Sequence, residues 1–185
     1  MDAENEHNPL LAMTGLPPFS RIRPEHVGPA VDALLHEGRT LVAELLARDE
    51  PPTWAGLVAP IAHFQHRLAR VWSPVRHLHS VADSRELREV YDACLGRLTT
   101  FHTELGQNRY LYQAYRAIAE GPENAALDPA QRKILQDALR EFRLAGVDLP
   151  PAEQSRFKAI REELAGLSSR FSQNVLDASE AWTLA

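Results

Sequence analysis

Eight histidines are the first residues of this chain that could hold a metal or move a proton. His63 and His66 are three residues apart, so a helix would put them on one face. His77 and His79 follow Pro74 in a stretch that reads as a loop. A catalytic zinc needs three protein ligands and an open position. Its usual helical signature is H-E-x-x-H, with the glutamate as base. The nearest string is His36-Glu37-Gly38-Arg39-Thr40, where Thr40 stands in place of the second ligand. Glu4-Asn5-Glu6-His7 has the E-x-x-H spacing of carboxylate-bridged metal proteins, but no partner motif accompanies it. Neither string makes a site, and all eight histidines read better as surface or partly buried side chains. Zinc held by His63, His66, His77 or His79 is the weakest of the functional readings.

Other chemistry finds no better footing. Cys94 is the single cysteine, so no internal disulfide can form, and it sits among apolar positions with no evident base. Ser168 and Ser169 fall on the charged side or margin of a helical stripe, and no G-x-S-x-G elbow occurs. The chain has no P-loop and no G-x-G-x-x-G. Glu162 and Glu163 are adjacent helix positions pointing different ways, which suits a solvated surface rather than an acid–base couple. Trp54, Trp72, Tyr91, Phe101, Tyr110, Tyr112, Tyr115, Phe157 and Phe171 could line a groove, but most lie on helical stripes and read as core. Tyr112 lies off the stripe of its short helix and is expected to face out. The residues therefore nominate no catalytic, cofactor-binding or metal-binding position.

Composition sets the class. A chain of 185 residues fits one domain, or one domain with a tail. Its hydrophobic fraction of 44% and charged fraction of 24% are those of a soluble globular protein. The net charge of −5 argues against nucleic acid as a partner, since such binders normally carry a basic face. No apolar run is long enough to span a bilayer, so no membrane partner is expected. Residues 1–7 are polar and unlike a secretory signal, which makes the cytoplasm the expected location.

The elements that must position any site are helical. Residues 1–15 lack periodicity and are expected to form a mobile tail. An extended leader follows, Leu16-Pro17-Pro18-Phe19-Ser20-Arg21-Ile22, with Leu16, Phe19 and Ile22 as anchors. Pro24 suits a first helical turn, and Pro29 and Gly38 should weaken the helix it opens. Thr53 caps a second helix, bent at Pro60 and broken or kinked at Ser73-Pro74. Ser84 caps a third, ended or bent at Gly106. Asn108 opens a short helix with Tyr110, Leu111, Tyr115 and Ile118 on its face, which stops by Gly121-Pro122. Asp128-Pro129-Ala130-Gln131 is a helix start in which aspartate caps and glutamine reaches back. Gly146 suits the position just past that helix. No segment alternates with period two. The spacing predicts an all-α fold, an antiparallel bundle of about five or six helices behind an extended N-terminal leader.

The last long helix, from Pro150 to Ser179, carries the clearest pattern. Phe157, Ile160, Leu164, Leu167, Phe171 and Val175 follow at steps of three, four, three, four and four. That is one narrow stripe along about five turns. A helix gains too little from propensity to stand alone, so the stripe is expected to pack on the helices before it.

Resemblance goes further than periodicity. The run Leu16-Pro17-Pro18-Phe19-Ser20-Arg21-Ile22-Arg23-Pro24-Glu25-His26-Val27-Gly28-Pro29-Ala30-Val31 resembles the opening of the thimet oligopeptidase family of zinc metallopeptidases. So do Ser73-Pro74-Val75-Arg76-His77-Leu78 with Ser80-Val81, Leu111-Tyr112-Gln113-Ala114-Tyr115-Arg116, Asn174-Val175-Leu176-Asp177-Ala178, and Trp182-Thr183. The resemblance runs in order from about Asn8 to Thr183. It implies that residues 16–185 form the N-terminal helical lobe of a longer peptidase, walling a channel that admits short peptides. The family's zinc, its H-E-x-x-H helix and a further glutamate ligand would lie far downstream. No ligand or base has a matching position here, so the resemblance implies no catalytic, cofactor-binding or metal residue in this chain. Zinc is expected only in the catalytic lobe, which is absent.

Three expectations follow. The chain should be a truncated piece, since Ala181-Trp182-Thr183-Leu184 leaves a tryptophan in a short tail. It should expose an apolar patch where the catalytic lobe docks. Its partners should be that lobe and, in the intact enzyme, short peptides. The competing reading is a stand-alone helical interaction module with no peptidase activity.

Overall fold

The structure, a computed structural model, describes residues 7–182. The fold is all-α, with six α-helices and no strand among the described residues. These are α1 (Pro24–Leu46), α2 (Ala59–Val81), α3 (Arg85–Gly106), α4 (Arg109–Glu120), α5 (Pro129–Leu144) and α6 (Pro151–Ala181). A 3-10 turn at Phe19–Arg21 precedes α1, and another at Pro122–Ala126 precedes α5. A π turn, Trp54–Val58, runs directly into α2.

The helix starts lie where capping chemistry places them. Thr53 accepts the Gly56 N–H, Ser84 the Leu87 N–H, and Asn108 the Leu111 N–H. Asp128 and Gln131 exchange hydrogen bonds at 2.8 and 2.9 Å, a full capping box. Gly146 has φ +85°, the left-handed conformation that ends a helix cheaply only for glycine.

The break expected at Ser73-Pro74 is absent. Pro29 lies inside α1, and Pro74 lies inside α2. Each proline removes one backbone donor, but neighbours hold the helix through it. Around Pro74, Val71 and Val75 are both buried. His77 and His79 are therefore helical, not in a loop.

The chain divides into two compact units. The first holds 7–34, 68–100 and 159–182 of the described residues. Its core includes Val27, Val31, Leu34, Val75, Cys94 and Leu98. The expected tail is anchored here: Leu10 is 1% exposed, and the Asn8 side chain donates to the His26 carbonyl at 2.8 Å. The mobile-tail expectation thus fails over Asn8–Leu10, while residues 1–6 lie outside the described residues. Of the three proposed anchors only Ile22 is buried. Leu16 is 92% exposed, and Phe19 rests against the His77 ring.

The second unit holds Leu35–Arg67 and Phe101–Lys158. Leu57, Val58, Ile61, Leu111, Ile118, Leu135 and Phe142 fill its core. Gly38 has a specific purpose here. A Cβ on it would lie 2.4 Å from Phe64 Cζ and 2.8 Å from Phe101 Cζ. Those two rings meet edge-on at 5.9 Å. Gly38 makes room for that pair inside α1. In α4 the expected face is rotated: Tyr112 is buried and Tyr110 is 76% exposed. Tyr112 lies against Phe142, and Arg143 Nε donates to its hydroxyl at 3.3 Å.

Candidate functional site

The residues named first for chemistry are not brought together. His63 and His66 are exposed on α2 in the second unit, whereas His77 and His79 belong to the first. Glu37 of the H-E string pairs with Arg67. Glu4 and Glu6 lie outside the described residues. Among the described residues, no three His, Cys, Asp or Glu side chains are grouped to hold a metal ion. Cys94 is fully buried, and burial pushes its thiol up, away from the reactive thiolate. Glu162 accepts a hydrogen bond from Thr100 Oγ1 at 2.7 Å, a surface tie between helices.

The feature that stands out is the face α6 leaves uncovered. Ile160, Leu164, Leu167, Phe171 and Val175 are each 48–70% exposed. Apart from Phe157, which is half-buried, the stripe expected to pack on the preceding helices instead faces solvent.

What holds α6 to the first unit is polar. Ser169 is 8% exposed, where the sequence placed it on a charged margin. Its Oγ donates to Asp92 Oδ1 at 2.7 Å. Gln173 Nε2, one turn on, donates to both oxygens of the same carboxylate at 3.1 and 3.2 Å. A turn further, Asp177 accepts from Arg88 at 3.0 Å, and Arg88 also holds Asp83. The Arg88 hydrogen bonds keep the Asp177 carboxyl below the usual carboxylate range. Ser169, Gln173 and Asp177 recur every fourth residue, so they are one face of α6. The apolar residues occupy another.

Periodicity did reveal that stripe, but could not show which face the chain itself covers. Polar residues at i, i+4 and i+8 were the available signal for an inner face. They read as solvated because their partners, Asp92 and Arg88, are 77 to 89 residues away in sequence. An apolar face of this length is more than the single scattered apolar residues of an ordinary surface. No helix of the described residues is long and apolar enough to cross a membrane.

Comparison with known proteins gives that surface a context. The family model described as neurolysin/thimet oligopeptidase, N-terminal domain, matches residues 31–154. The chain is 45% identical over 176 residues to oligopeptidase A of Escherichia coli, covering 95% of this chain and 26% of that protein. It is 43% identical over 175 residues to oligopeptidase A of Haemophilus influenzae, again 95% of this chain and 26% of that one. Similarity extends to a probable cytosolic oligopeptidase A of Arabidopsis thaliana, at 36% over 175 residues, 94% of this chain and 24% of that protein. The chain thus spans about a quarter of the length of these relatives. With two thirds of its residues inside the family model and nearly all of them aligned to these peptidases, the chain belongs to the neurolysin/thimet oligopeptidase family and carries that family's N-terminal domain.

Proposed function

We propose that this chain is the non-catalytic N-terminal lobe of a cytoplasmic, zinc-dependent oligopeptidase, where it walls the channel that admits short peptides. The observation that carries this reading is the pairing of extents. Almost the whole chain aligns with oligopeptidases, yet it spans a quarter of their length. The exposed stripe of α6 supports it, because a face of that length suits a large partner surface.

The residues present do not fit a zinc ion. The sequence has no H-E-x-x-H, and the described residues hold no ligand cluster. Zinc and the catalytic glutamate are assigned to the portion that the relatives have beyond this domain, and no catalytic step is assigned to a residue here. The lobe's contribution is confinement: a wall that excludes folded chains lets the site act only on short ones. The stand-alone interaction module is the second reading, and the same exposed stripe is what favours it.

A fusion experiment separates the two. This chain is joined to the remaining three quarters of Escherichia coli oligopeptidase A, and cleavage of a fluorogenic short peptide is compared with the intact relative. The lobe reading expects turnover by the fusion and none by either piece alone. A folded fusion that stays inert while the intact relative cleaves would favour the module.

A further inference from the structure

The first unit contains a cavity of about 720 Å³, between the second half of α2, the start of α3 and the inner side of α6. That volume lies in the range of small-ligand sites. Three aromatic rings form its wall. Trp72 stacks on Tyr91 at 4.9 Å and 17°, and Tyr91 stacks on His79 at 3.9 Å and 13°. With Tyr91 sandwiched between the other two, the stack meets the cavity largely through ring edges, an apolar surface that a side chain can pack against.

Among its lining residues the one side chain with a fixed charge is a cation. Arg76 lines the cavity, is exposed, and has no carboxylate partner among the described residues. It lies near enough to Tyr91 to act on the phenol electrostatically. No carboxylate is among the lining residues. Asp92, beside Tyr91 in the chain, is engaged by Ser169 and Gln173. The hydroxyls of Ser73 and Ser168 also line the cavity and have no protein partner among the described residues.

A second observation points to a ligand. His79 lies in the wall at 8% exposure, and its Nε2 has no hydrogen-bond partner. A buried polar atom without a partner is costly, so Nε2 is open to a hydrogen bond from a ligand; the other such atom among the described residues, Asp83 Oδ1, lies outside this lining. The ion-pair networks of the same unit, at Arg88 and Arg97, are closed by aspartates. Arg76 and His79 are left open.

The geometry points to this cavity as a site for the C-terminal carboxylate of a short peptide, with Arg76 taking the carboxylate and the Trp72–Tyr91 wall taking the terminal side chain. A guanidinium matches a carboxylate with two parallel hydrogen bonds. The serine hydroxyls suit the peptide's backbone groups. A free inorganic anion would use the arginine but leave the aromatic wall idle, which is why a peptide is favoured over phosphate. The peptide class rests on the lobe reading above.

The test uses the 185-residue chain with three probes: N-acetyl-Ala-Phe, its C-terminal amide, and inorganic phosphate. Backbone amide and Trp72 indole shifts are followed by NMR. The acid should give saturable shifts confined to residues 72–80, Tyr91 and 165–172, and the amide should bind about tenfold more weakly or worse. Arg76→Gln should weaken the acid by a similar factor, while Arg85→Gln, in an exposed pair elsewhere on α3, should not. Equal affinity for acid and amide, shifts centred elsewhere, or no saturable binding overturns the proposal. So does phosphate binding as tightly as the peptide. Peptide binding here with no activity from the fusion would sink the lobe reading and leave this site standing; an active fusion with no peptide binding would do the reverse.

Discussion

Ser169 Oγ donates to Asp92 Oδ1 across 2.7 Å, and this bond between α6 and α3 decides which face of α6 turns inward. Ser169 is buried on a helix whose Ile160, Leu164, Leu167, Phe171 and Val175 are exposed. Gln173 shares the same carboxylate, so Asp92 ties two successive turns.

Removing that carboxylate should loosen α6 more than removing any single donor. Asp92→Ala is expected to cost about 1–2 kcal/mol, since two donors lose their acceptor, and Ser169→Ala about 1 kcal/mol. Urea unfolding monitored by circular dichroism measures both, with the midpoint shifting and the slope unchanged. Equal, negligible shifts would show that α6 is held by something else.

Gly38 should not accept a methyl group. Alanine favours a helix by about 1 kcal/mol over glycine, and in an open helix the exchange would stabilise. Here the new Cβ would overlap both Phe64 and Phe101. Overpacking of that kind costs about 1–3 kcal/mol, so Gly38→Ala is expected to lower the thermal midpoint despite its propensity gain. Gly96, whose Cβ would meet nothing, is the control: Gly96→Ala should raise it.

The Arg88–Asp177 contact sets an acid limit on the end of α6. Hydrogen bonding to Arg88 depresses the Asp177 carboxyl. A depressed carboxylate contributes its stability above the unfolded value, near 4 by typical peptide figures (~3.9). That contribution is lost as pH falls through the lower folded value. Amide protection factors over residues 170–182, corrected for the intrinsic exchange rate at each pH, should therefore fall on acidification below about pH 4, and Asp177→Asn should remove that part of the pH dependence. Protection that does not change between pH 5 and 3 would contradict this.

The caps at Thr53, Asn108 and Asp128 were legible because each is a local bond between residues three apart, fixed by side-chain type. That the helix continues through Pro74 was not legible, for the complementary reason. A proline's cost is local, but the burial that outweighs it, as at Val71 and Val75, comes from distant segments. The α4 face was misjudged by one position. Leu111, Tyr112, Tyr115 and Ile118 make a better helical face than one including Tyr110, yet over twelve residues the pattern barely separates them. Gly38 reads in sequence as a weak point, and only the approach of two aromatic rings shows why glycine stands there. The α6 stripe marks the deepest limit. Spacing tells which residues share a face, whereas the partner of that face is a property of the whole assembly. The cavity wall is of the same kind: Trp72, His79 and Tyr91 come from two helices, and no spacing rule joins them.

The stripe itself offers the most direct test that this chain is one lobe of a larger peptidase. The remaining three quarters of Escherichia coli oligopeptidase A, purified separately, is mixed with this chain and followed by sedimentation velocity. Its partner surface should capture the chain as a one-to-one complex. Leu164→Glu with Phe171→Glu, at positions that face solvent in the chain alone, should leave the helical circular dichroism and thermal midpoint nearly unchanged while weakening the complex at least about a hundredfold. No complex with the unmodified chain, or a complex indifferent to both glutamates, would contradict the assignment of this face as the seam between lobes.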